Sequence, residues 1–303
     1  MCAQLSKLVL RFAALCVLAC CSSILQAQTP STAAGDCCTA AALAKLAGSL
    51  GFVDVIGVKL GMTPAQATAA IHAAEPNLKL AVLNSQLEMP SGSNSKVPRF
   101  IATTAPPASD GSEESIIMEF TTPPNAPFLA RIYRTVQFPN GKPVAAGNLI
   151  QALQKKYGTE LVVNQNYHEW VFQTDGQPVT RPLSGTAAAC MIPTNGSGIV
   201  NVPPYNATLT QNYGEINLMY MGPGYETGDL APACTPYVAV LATVNGLPPG
   251  DPTALAQSMS VVMESAGLLD YSHRATLSWL QADQAAKDQK AKAAAAAQGA
   301  PQL

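Results

Sequence analysis

Residues 53–76 read VDVIGVKLGMTPAQATAAIHAAEP, and the fold class follows from how this stretch divides. Its first part belongs to Gly51–Lys59, where β-branched residues alternate and predict a short strand. Thr63-Pro64-Ala65-Gln66 then carries three separate helix-start signals. Thr63 is of the type that caps, Pro64 suits the first helical position, and Gln66 stands where a capping box needs it. Ala67, Ala70, Ile71 and Ala74 follow at helical spacing and give one apolar stripe. Pro76 ends the helix, because the residue before a proline avoids the α region. Leu78, Leu80 and Val82 then alternate as a strand. Strand, helix and strand in this order, with polar turns between, point to an α+β fold.

The same grammar extends outward. Cys38–Leu50 is rich in Ala and Leu and predicts a short helix, and Phe100–Thr103 a strand. The strongest β signal is the pair Ser115–Thr121 and Phe128–Phe138 around Pro123-Pro124-Asn125. Paired as a hairpin, these strands would set Glu119 opposite Arg131. Asn140-Gly141 is a turn. Ala146–Tyr157 predicts a second helix, with Leu149, Ile150, Leu153 and Tyr157 as its buried stripe, Lys155 and Lys156 at its C-terminus and Gly158 after it. Strands are predicted near Glu160–Asn164 and Glu169–Thr174, at Ile216–Tyr220, Tyr237–Val244 and Met259–Glu264. Asp270 is read as the cap of a last helix whose Leu277 and Leu280 face the body. Beyond Ala285 the Ala, Lys and Gln run has high helix propensity and nothing large to bury, so it reads as a frayed or projecting helix. Helix-then-strands occurs twice, which suggests two similar helix-plus-sheet units on antiparallel sheets. The organisation is read as signal peptide 1–27, flexible lead-in 28–48, first unit 49–140, second unit 141–269 and C-terminal helix with an Ala-rich tail 270–303.

Charged residues are 12% of the 303, and the net charge is −2. That balance argues against nucleic acid, which calls for a concentrated basic patch. Lys7 and Arg11 precede a short apolar run, Phe12–Cys21, and Leu25-Gln26-Ala27 offers a small-residue cleavage site, so the N-terminus reads as an export signal. Val17-Leu18-Ala19-Cys20 gives a second reading, a bacterial lipobox with a lipid on Cys20; plain cleavage after Ala27 is preferred. No other run is apolar and long enough to span a membrane. Of eight cysteines, Cys2, Cys16, Cys20 and Cys21 leave with the signal, and Cys37, Cys38, Cys190 and Cys234 remain. In an oxidising compartment pairing is the default. Cys190–Cys234 is the expected disulfide, closing a loop of about 45 residues at roughly 4 kcal/mol. It would staple the long irregular stretch Gln177–Gly214. The alternative pairs Cys38 with one of the two.

The chemistry-bearing residues are dispersed. His72, His168 and His273 are far apart, and none has zinc-ligand spacing. No phosphate-binding glycine loop or nucleophile elbow is present, and Cys37-Cys38 is not a C-x-x-C pair. Glu113-Glu114 sits in a polar loop where nothing would split the two pKa values. No metal or cofactor is therefore expected. Tyr167, Trp170 and Phe172, with Tyr220 beside Tyr213 and Tyr225, could line a groove for a sugar or peptide; aromatic residues in strands are more often core. Asn195 and Asn206 head sequons, which matter only in a eukaryotic secretory route.

Gly61-Met62-Thr63 opening an amphipathic helix that ends near a proline resembles the family of the small lipoprotein of the outer-membrane β-barrel assembly machinery. The likeness covers Ile56–Pro76. In place of the Leu-Gly pair that family carries before the proline, this chain has Ala74-Glu75. The resemblance implies an envelope setting and helices packed on a small antiparallel sheet. The functional expectation is a non-enzymatic exported protein, periplasmic or secreted, that binds an envelope protein or a cell-wall component. The rival is a secreted hydrolase with a dispersed site at His168, together with Glu169 or Asp175.

Overall fold

The computed structural model describes residues 39–89, 91–103, 108–164, 166–181, 237–247 and 251–297, all within one compact unit, Cys38–Leu303. Thr39 caps helix α1 (Ala40–Ser49) by accepting from the Ala42 N–H. Leu43, Ala47 and Leu50 are buried. The lead-in expected to run to residue 48 therefore gives way to packed helix at Ala40.

Asp54–Val55 (β1) and Val58–Lys59 (β2) form a two-residue hairpin in place of the single strand expected over Gly51–Lys59. The reversal is at Ile56 and Gly57, both at positive φ, as a primed turn requires. The Gly57 N–H donates to Asp54 Oδ1 at 2.7 Å. Gly61 follows at φ +78°, and a Cβ there would stand 2.0 Å from the Ala47 carbonyl oxygen, so only glycine fits under α1. Helix α2 (Pro64–Ala74) starts with the expected capping box and buries Ala67 and Ile71. Helix α3 spans Ala146–Tyr157 as predicted.

The strands are β3 (Lys79–Glu88), β4 (Asn94–Thr103), β5 (Glu113–Phe120), β6 (Leu129–Gln137), β7 (Val144–Ala145), β8 (Val162–Asn164), β9 (Tyr167–Gln173), β10 (Tyr237–Leu247) and β11 (Leu255–Glu264). They form one antiparallel sheet in the order β3-β4-β5-β6-β11-β10-β9-β8, with β7 paired to β11. Each half is a helix followed by a four-strand meander: α2 with β3 to β6, and α3 with β8 to β11. The meanders meet at β6 and β11, so the sheet reads alike from either edge inward. The expected repetition of element order is present among the described residues, but the boundary at 140/141 divides no sheet.

The last helix, α4 (Ala266–Ala297), begins four residues before Asp270. Ser265 Oγ accepts from the Leu268 N–H at 3.2 Å and holds its first turn. All four described helices contribute to one core on a single face of the sheet. Against them the sheet sets Ile116, Met118, Ile132, Trp170, Val240, Val261 and Met263. Alternation along the strands sends Ser115, Glu119, Arg131, Thr135, Glu169 and Glu264 to the other face. No described helix is long and apolar enough to cross a membrane.

Candidate functional site

The face away from the helices carries the polar groups that converge, and it does so by register. Ser115 (β5) stands opposite Thr135 (β6), Thr135 opposite Ser260 (β11), Ser260 opposite Thr243 (β10), and Thr243 opposite Tyr167 (β9). One row nearer the rim, Glu113, Gln137, Ser258 and Asn245 stand in line across β5, β6, β11 and β10. Adjacent strands lie about 4.8 Å apart, so the two rows present hydroxyl and amide groups at a regular interval. Glu113, Gln137 and Asn245 are exposed; Ser115, Thr135, Ser258, Ser260 and Tyr167 are half-buried, and Thr243 is buried. Asn245 Nδ2 donates to Ser258 Oγ at 3.0 Å, and Asn166 Nδ2 donates to Asn245 Oδ1 at 3.2 Å, which fixes the amide at the rim. Asn164 Nδ2 reaches the Tyr167 hydroxyl at 3.4 Å.

Deeper on this face runs a charged row. Arg131 Nη1 lies 3.2 Å from Glu119 Oε2, and both Nε and Nη2 lie 2.7 Å from Glu264 Oε2. The three residues are direct cross-strand partners, and Arg99 is the next in register. The pairing of Glu119 with Arg131 is the one expected of a hairpin. Between the rows, Val171, Ala239, Leu241 and Val262 form a second small core with Tyr133, Tyr167 and Tyr237 at its margin.

The aromatic groove expected from Tyr167, Trp170, Phe172 and Tyr220 is not assembled from the residues described. Strand alternation places Tyr167 on the polar face and Trp170 and Phe172 on the helix side. Trp170 is 1% exposed, its ring lies 5.3 Å from that of Tyr157, and its N–H donates to the Gly158 carbonyl at 2.8 Å. Phe172 meets Phe52 edge-on at 6.0 Å. Both are core, as aromatic residues in strands usually are. Tyr220, Tyr213 and Tyr225 lie outside the described residues, as do Cys190, Cys234, Cys37, Cys38, Cys20 and both sequons.

His168 is buried beside Trp170. Its Nδ1 lies 3.1 Å from Glu160 Oε1, which also accepts from Gln154 Nε2 at 2.8 Å, while His168 Nε2 has no hydrogen-bond partner. The carboxylate at His168 is Glu160; Glu169 points to the opposite face and Asp175 accepts from the Gln177 N–H in the next turn. His72 is exposed on α2. Glu113 and Glu114 point to opposite faces, and Glu114 binds Arg134 Nε at 2.6 Å. Among the described residues no group of three or more His, Cys, Asp or Glu could hold a metal ion.

The polar rows are legible only in part from the sequence. Ser115-x-Ile117-x-Glu119 and Ser258-x-Ser260-x-Val262 show the period-2 pattern, but the pairing of β6 with β11 across more than a hundred residues leaves no local mark. No family model matches this chain, and neither a curated protein nor a solved structure is significantly similar to it.

Proposed function

We propose that this is an exported, non-enzymatic binding protein of the cell envelope whose ligand is a hydroxyl-rich polymer, a cell-wall glycan being the chemistry that fits. The observation that carries the reading is the double row of Ser, Thr, Asn and Gln side chains across β5, β6, β11 and β10. Evenly spaced groups that both donate and accept suit a ligand whose hydroxyls repeat along a chain. Tyr167 at the end of one row adds an apolar ring face with a polar tip. Export is supported by Lys7, Arg11 and the apolar run Phe12–Cys21, and an envelope setting by the resemblance at Gly61-Met62-Thr63. Sedimentation of the purified chain with insoluble cell-wall material, and calorimetry with soluble wall fragments, test the reading. Thr135→Val together with Ser260→Ala removes two hydroxyls with little change of volume and should weaken binding about tenfold, roughly 1.4 kcal/mol. Binding that survives both substitutions, or no binding to any glycan, refutes it.

One observation favours the hydrolase reading: a histidine oriented by a carboxylate, with its second nitrogen unbonded, is two thirds of a catalytic triad. Turnover of an ester, peptide or glycoside panel that disappears in His168→Gln would support it over the binding reading.

A further inference from the structure

The polar face is banded, and the bands run across the strands. Down β6 the residues on this side are Gln137, Thr135, Tyr133 and Arg131. Down β11 they are Ser258, Ser260, Val262 and Glu264. Each strand thus passes from polar side chains at the rim, through a row of apolar and aromatic residues, to a charged one. Across the strands each kind persists. The hydroxyl row continues in register past Ser115 to Thr103 on β4, so every strand from β4 across to β9 places a hydroxyl-bearing residue in it. The row beneath it is Ile117, Tyr133, Val262 and Leu241. Same-face neighbours along a strand are about 6.8 Å apart, against about 4.8 Å between strands. A ligand whose chemistry repeats at short intervals therefore meets like groups by crossing the strands. The charge on the face selects further. Of the residues in the two outer rows from β5 to β10, only Glu113 is charged, and Lys79 stands beyond Thr103 on β3. Arg131, two rows in, is already held by Glu119 and Glu264. A polyanion would need cations along its path.

Resting on the glycan-binding reading, we propose that the ligand is an unbranched, extended, uncharged glycan that lies across the strands, about one sugar to a strand. Its hydroxyl edge meets the outer rows, and its C–H surface lies toward Ile117 and Tyr133, both half-buried. On β10 the contact is Asn245, which is exposed, rather than the buried Thr243. A pyranose joined through equatorial bonds carries both kinds of surface and advances by close to the strand spacing. The four strands from β5 to β10 cover roughly 14 Å, so a disaccharide reaches only part of the path.

Calorimetry of the purified full chain with N-acetylglucosamine oligomers and cello-oligosaccharides of two to six units tests the path. Affinity should rise about tenfold or more from dimer to tetramer. Cello-oligosaccharides oxidised at C6 keep the same geometry and add a carboxylate to each sugar; they should bind about tenfold more weakly than their parents. In a titration followed by amide NMR, the tetramer should shift Glu113, Gln137, Ser258 and Asn245 together. Equal affinity for dimer and tetramer, tighter binding of the oxidised oligomers, or shifts that run down β6 and β11 to Arg131 and Glu264 while β5 and β10 stay still would each overturn the proposal and leave glycan binding standing. Absence of binding by every oligomer removes both.

Discussion

Thr63 and Gln66 close the first turn of α2 on each other. The Gln66 N–H reaches Thr63 Oγ1 at 3.4 Å, and Gln66 Oε1 accepts from the Thr63 N–H at 2.9 Å and from its hydroxyl at 3.0 Å. Thr63→Ala should cost about 1 kcal/mol, the usual loss on removing an N-cap hydroxyl, and Gln66→Ala less; urea unfolding of the two variants checks the order. Lys156 and Asp54 work at longer range. Burial raises the Asp54 carboxyl, but the Lys156 hydrogen bond at 2.8 Å, the Gly57 N–H and the charges of Lys156 and Lys59 outweigh it, and the net pKa is lowered. A depressed carboxyl contributes stability above its unfolded value of about 3.9, and that contribution is lost as pH falls through the folded value. Lys156→Met should therefore destabilise by at most about 1 kcal/mol near neutral pH, since both partners are partly solvated. The difference from wild type should shrink toward zero in acid, read from denaturation midpoints across a pH series. The capping box is legible in the sequence because all its parts lie within four residues. The Asp54–Lys156 contact is not, because the fold alone brings the C-terminal turn of α3 to the first hairpin.

Among the elements, β6 carries the most consequential side chain. Arg131 sits between Glu119 on β5 and Glu264 on β11, and Glu264 is 3% exposed. A carboxylate so poorly hydrated depends on its cation, and removing one partner of a buried pair costs about 3–5 kcal/mol. Arg131→Met should lie toward the lower end of that range, because Glu119 keeps some access to water, and Arg131→Met combined with Glu264→Gln should recover part of the loss. Guanidinium unfolding of the single and double variants measures the coupling. The half of this row within the β5–β6 hairpin follows from sequence, since a short turn fixes register. The β11 half does not, because nothing local ties Glu264 to Arg131. The last helix starts earlier than its local sequence suggests, for a related reason. Asp270 looks like a cap in isolation, but Ser265 is where the chain leaves β11, and the strand's end decides where the helix begins. The Trp170 and Phe172 strand shows the reverse limit: its alternation predicts two faces and does not say which lies beneath the helices.

For the whole molecule, α+β class and a repeated helix-then-strands order are legible because each element is locally patterned. The joining of both halves into one sheet is not. It rests on β6 pairing with β11, a contact of high sequence separation that forms against a large closure entropy. The polar face inherits that dependence, since its rows exist only once β5, β6, β11 and β10 are side by side. One topological feature reaches further than the described residues. Residues 174–236 connect β9 to β10, yet those strands are immediate neighbours, with Tyr237 opposite Gln173. Both ends of the connection are pinned by the sheet, and doubling its length would add only about 0.6 kcal/mol of closure entropy. The β9–β10 junction is therefore the point at which the chain can grow, shrink or accept foreign sequence over evolutionary time while the register of the sheet, and with it the polar face, stays as it is.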